Sequence, residues 1–208
     1  MKEYAAVFLI GWAAGIDLYL SVAAAGICSR MGWIPLPPGT ELLGHPLIIA
    51  LALLMYAVEF VADKIPFVDS AWDSLHTFIR PAGAAAVGFL AGTEHGPLAQ
   101  TAFAVATGAV ALNMHAVKAS SRLAINMSPE PFSNIAASLA EDAAVLGAFW
   151  FFIKHPILTF FILLAIVVLS FFVLRMLWRF VLKLFHRPRR PAAVAAESRG
   201  AVSGGGVK

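Results

Sequence analysis

From Pro156 to about residue 178 the chain carries no charged side chain before Arg175. An α-helix needs roughly 20 consecutive apolar residues to cross a hydrocarbon core of roughly 30 Å. This run therefore commits the chain to a bilayer. Five more apolar runs, at about 5–28, 46–61, 70–92, 98–125 and 135–153, approach the same length. With 60% hydrophobic and 13% charged residues in 208 and a mean hydropathy of +0.82, no soluble domain would stay dispersed. Runs of this length favour helices over the roughly 10-residue alternating strands of an outer-membrane barrel. The expected fold is all-α: one polytopic helical membrane domain over 1–186 with about six segments.

The boundaries have local causes. The first segment, 5–28, reads as one long, retained helix, since it lacks a basic start and a small-residue cleavage site. The 34–39 stretch, Ile-Pro-Leu-Pro-Pro-Gly, stops a helix, and His45-Pro46 opens the second run. Segment three is polar up to Pro81 and only briefly apolar after it, which predicts an interfacial helix leading into a short or partly re-entrant one. After Arg187 the chain turns Ala, Pro, Ser and Gly rich, so 187–208 is expected to be a disordered cytoplasmic tail. Cytoplasmic loops carry the excess of Lys and Arg. Lys64, Lys118, Arg122, Arg175, Arg179, Lys183, Arg187, Arg189 and Arg190 fall on one side of a six-crossing arrangement, and Arg30 and Lys154 on the other. Both termini are then expected inside, with the protein in the cytoplasmic (inner) membrane.

Net charge is +3, but much of the excess lies in 183–190 beside a hydrophobic helix, which points to anionic lipid headgroups as partners and away from nucleic acid. The single cysteine, Cys28, permits no internal disulfide and no cysteine cage. The six histidines are scattered without the spacing of a helical zinc site. No metal or cofactor is expected. A phosphate-cradling glycine motif and a nucleophile elbow are also absent from the sequence, so no catalytic residues are assigned and an enzyme is the less favoured class. Gly11/Gly15 and Gly88/Gly92 have the spacing that lets membrane helices approach closely, within the chain or in a homo-oligomer.

Ile65-Pro66-Phe67-Val68-Asp69 is echoed 65 positions later by Glu130-Pro131-Phe132-Ser133-Asn134. The same offset pairs Asp69 with Asn134, Asp73 with Ser138 and His76 with Glu141, each set lining one helical face. Further echoes pair Asp17-Leu18-Tyr19 with Asn113-Met114-His115, and His45-Pro46 with His155-Pro156, at other offsets. The expectation is an internal pseudo-repeat of Pro-Phe hairpins, inverted or parallel.

Ionisable groups in hydrocarbon cost at least about 2.5 kcal/mol each, so those present are paired, hydrated or functional. Glu59, Asp63, Lys64, Asp69, Asp73, His76 and Arg80 form the densest polar group; Lys118, Ser121, Arg122 and Asn126 line one face of segment four, followed by Glu130, Asn134, Ser138, Glu141 and Asp142. Asp17, with Ser21, is the most deeply placed acid. Arg80, Lys118 and Arg122 suit an anion; Glu59, Asp63 and Asp17 suit a proton or cation. The reading is a small secondary transporter or channel-like permease for a polar or anionic molecule or lipid headgroup, with its site between the two hairpins. The alternatives are a membrane enzyme on a lipid or prenyl headgroup, using Asp69 and Asp73 as metal or acid/base groups, and an accessory protein with fixed ion pairs.

The sequence resembles an uncharacterised bacterial integral-membrane family, domain of unknown function 4126. The resemblance rests on Glu59-Phe60-Val61-Ala62-Asp63-Lys64-Ile65-Pro66, on Val68-Asp69-Ser70 and Trp72-Asp73, on Arg80-Pro81, and on the basic face from Lys118 to Arg122. Ser128-Pro129-Glu130-Pro131-Phe132-Ser133-Asn134 and Glu141-Asp142 complete it. It would cover about 11–165 and implies a helical membrane protein without implying a substrate.

Overall fold

The computed structural model describes residues 1–65, 67–126 and 131–185. Expectations at Pro66, at Glu130, for the basic side chains of 183–190 and for the 187–208 tail lie outside the described residues. Met1–Leu174 forms one compact unit. Its helices are α1 (Lys2–Ile16), α2 (Leu18–Arg30), α3 (Pro46–Ala62), α4 (Val68–Ala91), α5 (Pro97–Asn126), α6 (Pro131–Lys154) and α7, which starts at Pro156 and continues beyond the unit to Phe185. Short 3-10 turns occupy Glu41–Gly44 and Thr93–His95. Among the described residues three helices are long and apolar enough to cross a membrane, at Pro97–Asn126, Phe132–Lys154 and Pro156–Met176, while α2 and α3 are shorter apolar helices.

The burial pattern is the reverse of a soluble protein's. On α3 the buried residues are Ala52, Glu59 and Ala62, whereas Leu47, Leu51, Leu54, Val58 and Val61 face outward. Arg80 and Arg122 are the largest fully buried side chains among the described residues. In water this would strand charges inside and expose leucines; in lipid it puts each class where its solvation is cheapest. The chain is a helical, membrane-embedded protein.

The first expected segment is not one helix. It breaks at Asp17, whose backbone is extended (φ −146°, ψ 105°) and whose Oδ1 accepts the Leu20 N–H at 2.8 Å. A carboxylate at that position satisfies an N–H that the helix ladder would otherwise leave open, and so starts a new helix. The chain also turns back. Tyr4 near the start of α1 pairs with His95 in the 92–97 loop (Oη to Nε2 3.2 Å), and Tyr4 stacks on Phe103 at 5.2 Å. Lys2, Trp33 after α2 and Lys154 line one cavity of about 560 Å³. Both ends of the α1–α2 hairpin thus lie at one end of the bundle. At 15 and 13 residues, or about 22 and 20 Å, neither arm matches a roughly 30 Å core. This arrangement sets Met1 beside the 92–97 loop, where the six-crossing scheme had put it opposite.

Segment three departs from expectation in the other sense. It is a single 24-residue helix, α4, running through Pro81. Its polar first half does not seek the interface, because Asp69, Asp73, His76 and Arg80 are buried against neighbouring helices, and such neighbours let a membrane helix tolerate a proline.

The glycine pairs pack within the chain. A Cβ on Gly15 would sit 2.6 Å from Met114 Cβ on α5, and one on Gly92 2.6 Å from Gln100 Cα. Between them Thr107 Oγ1 donates to Ala84 O at 2.9 Å. α5 is thereby clamped between α1 and α4, the close approach that small residues permit in lipid.

Candidate functional site

The hairpin tip meets the buried charges. Breaking the helix at Asp17 frees carbonyls at the end of α1, and two cations take them: Arg80 Nη1 donates to Gly15 O at 3.2 Å and Lys118 Nζ to Ile16 O at 3.2 Å. The negative end of the α1 dipole thus faces two cations, and Asp17 sits on the positive end of α2. Asp17 is also within electrostatic reach of Glu59, Lys118 and Arg80.

Around this tip seven of the described side chains, from α3 and its C-cap Asp63, α4, α5 and α6, form one network. Arg80 Nη2 pairs with Glu59 Oε1 and lies 3.3 Å from Asp73 Oδ1. Lys118 Nζ is 2.5 Å from Asp63 Oδ2, 3.4 Å from Glu141 Oε2 and 3.6 Å from Glu59 Oε1. Arg122 Nη2 donates to Glu141 Oε2 at 2.6 Å and lies 3.6 Å from Asp63 Oδ2. Its Nη1 donates to Asp63 O and Asn134 O, both at 3.0 Å. Four carboxylates therefore face three cations. With every group ionised the network carries an excess negative charge, and Asp17 adds to it.

The acceptors are unevenly served. Among the described residues Glu59 Oε2, Asp63 Oδ1 and both oxygens of Asp73 are buried without a hydrogen-bond partner, as are Arg80 Nε and Arg122 Nε. The 3.3 Å Arg80–Asp73 approach is an ion contact that lacks hydrogen-bond geometry. Glu141 is the more open member, with its side chain 18% exposed. It borders a cavity of about 260 Å³ with Lys118, Ser121 and Ile16.

Two further layers surround the network. Asn126 Nδ2 donates to both Asp69 oxygens (2.9 and 3.0 Å) and Asn134 Nδ2 donates to Asn126 Oδ1 at 2.9 Å. The paired positions Asp69 and Asn134 thus meet on one amide. Lys64 Nζ donates to Ser138 Oγ at 3.1 Å, and Tyr56 Oη to Asp142 Oδ2 at 3.2 Å. Lys118 and Arg122, expected to count as loop charges for orientation, are instead buried and paired. The echo of Asp17 in Asn113 is not structural, since Asn113 lies inside the unbroken α5 and accepts from Ser170 Oγ at 2.5 Å.

His115, which is not among the expected site residues, also belongs to the candidate site. Its Nδ1 faces Arg80 Nη1 at 3.0 Å, and its Nε2 lies 3.0 Å from Thr77 Oγ1. Since guanidinium only donates, Nδ1 accepts and Nε2 carries the proton. His76 takes the other tautomer: Nδ1–H reaches Trp72 O at 2.9 Å and Nε2 accepts from Tyr19 Oη at 3.2 Å. The partners of the two rings lie 35 and 57 positions away along the chain.

A family model described as Domain of unknown function (DUF4126) matches residues 5–176. The chain belongs to this family. The match takes in the broken hairpin and every described member of the network, so the ion-paired core lies inside the DUF4126 region. No curated protein and no solved structure matches the chain.

Proposed function

We propose that this DUF4126 protein is a small secondary transporter or channel-like permease for a small polar solute, with its site where the α1–α2 tip meets Glu59, Asp63, Arg80 and Lys118. The observation that carries this reading is the acid-rich cluster with unpartnered carboxylate oxygens at a helix broken in mid-bundle. Discontinuous helices that aim freed carbonyls and an N-terminus at a buried polar site are the common way for membrane transporters to build one. Each cation is already held by carboxylates of the protein, which favours a proton or cationic species over the anion. The hairpin pseudo-repeat is supported by the equal 24-residue lengths of α4 and α6. We place the end of α3 toward the cytoplasm, following Lys64; Met1 then lies on the far side.

The test is uptake into vesicles. Full-length protein reconstituted in liposomes is offered radiolabelled sodium, rubidium, phosphate and ethanolamine, and proton entry is followed in parallel with an internal pH dye. Protein-dependent movement of any of these, lost in folded Glu59→Gln, supports the reading. Movement no faster than in empty vesicles for the whole set rejects it in favour of a fixed ion-pair scaffold, which the multiple partners of every cation would also suit.

A further inference from the structure

We propose that the ion moved or coupled at this site is a proton, and that Asp73 is its carrier. This deepens the transport reading and rests on it for its physiological meaning. Asp73 stands apart from the other carboxylates of the network. Glu59, Asp63 and Glu141 each have an oxygen held by a cation within hydrogen-bond reach. Asp73 is 3% exposed, and neither of its oxygens accepts a hydrogen bond among the described residues. A carboxylate removed from water without donors is very costly, whereas the neutral acid is far less so. A proton on Asp73 also leaves three carboxylates facing three cations, a balanced network, with Asp17 set against the N-terminus of α2.

The surroundings say what ionisation would do. Groups within electrostatic reach of Asp73 are Arg80 on its own helix, Asp63 just after α3, Lys118 and Arg122 on α5, and Glu141 on α6; the His115 ring lies against the Asp73 backbone, and Glu59 shares the Arg80 guanidinium. Arg80 and Arg122 each have an unengaged buried donor, Nε, and of the two it is Arg80 that stands in ion contact with Asp73, at 3.3 Å. When the carboxyl O–H bond breaks, the proton passes to water and one negative charge stays behind. That charge draws Arg80, whose Nη1 holds Gly15 O and whose Nη2 holds Glu59. Losing the proton thus competes directly with the grip of Arg80 on the hairpin tip. A proton-dependent loosening of α1 is the result, which is what coupling an ion to a moving element requires.

The experiment uses the full chain in lipid. Infrared spectra at neutral pH are recorded for the wild type and Asp73→Asn, with exchange into D2O to mark the C=O stretch of a protonated carboxylic acid. The wild type should show one such band, shifted by deuterium, and Asp73→Asn should lack it with its melting temperature within about 3 °C of the wild type. No protonated-acid band in the wild type overturns the proposal. A band that survives in Asp73→Asn overturns the assignment to Asp73. If Asp73→Asn does not fold, the carboxylate form was needed and the proposal also fails. In dye-loaded vesicles with a potassium–valinomycin potential, Asp73→Asn should lose at least tenfold of the wild-type proton entry. A band present without any proton entry leaves the carboxyl as argued and sinks the transport reading; entry carried equally by Asp73→Asn does the reverse.

Discussion

Replacing Arg122 by Met tests whether the network holds the bundle together. The guanidinium is fully buried, donates to Glu141 at 2.6 Å, and closes two backbone carbonyls, Asp63 O and Asn134 O, at 3.0 Å. Met matches much of its length and none of its donors. The change removes one cation from the network, with Glu141 retaining only Lys118 at 3.4 Å. Removing one partner of a buried pair costs about 3–5 kcal/mol, which for a chain of this size is roughly 10 °C in melting temperature. Glu141→Gln alone, at a partly open position, should cost about 2 kcal/mol, near the net worth of a charged hydrogen bond. Because that second change restores the charge balance of the wild type, the double variant should recover about 2 kcal/mol relative to the sum of the singles. Tryptophan fluorescence of detergent-solubilised protein, heated with and without SDS, reads all four corners of the cycle. An Arg122→Met protein that melts within about 1 °C of the wild type, or a strictly additive double variant, would refute a cohesive network.

Other perturbations probe the packing and the hairpin. Gly15→Ala forces a methyl against Met114 and should destabilise by about 1–3 kcal/mol, seen as a lower melting temperature; Gly147→Ala, where an added Cβ meets nothing within 4 Å, should not. Thr107→Val removes the α5-to-α4 hydrogen bond at near-constant volume, and its cost should be about 0.6 kcal/mol, the usual scale for such bonds in lipid. Asp17→Ala should cost about 1 kcal/mol through the lost N-cap and raise labelling of a single cysteine at Ser21, in a Cys28→Ser background, by a water-soluble maleimide. Glu41 lies in the 31–45 connection, where backbone N–H groups, including that of Gly39 at 3.1 Å, hold its carboxylate below the usual range. Its stabilisation is complete above the ordinary carboxylate range and is lost as pH falls through the lowered value. Glu41→Gln should therefore melt below the wild type at neutral pH and match it in strong acid.

The solvent and the acids and bases that pair inside the bundle are legible in the chain alone. Runs such as 156–174 admit no environment but lipid, and an acid or base inside such a chain must be paired or used, so Glu59, Asp63, Asp73, Arg80, Lys118, Arg122 and Glu141 could be named before any contact was known. Helix starts at Pro46 and Pro156 were legible for the same local reason, a proline at the first helical position. Tertiary structure alone decided direction and pairing. Residues 5–28 have the length and hydropathy of a span, and nothing local says that Asp17 caps a second helix instead of lying on the face of one. That choice depends on Arg80 and Lys118, more than 60 and 100 positions away, which donate to the carbonyls that the break sets free. His115 became part of the site for a similar reason, through an arginine on another helix. Hydropathy is summed along the chain, while the satisfaction of buried polar groups is settled between helices, and the broken hairpin exists only because the second requirement overrode the first.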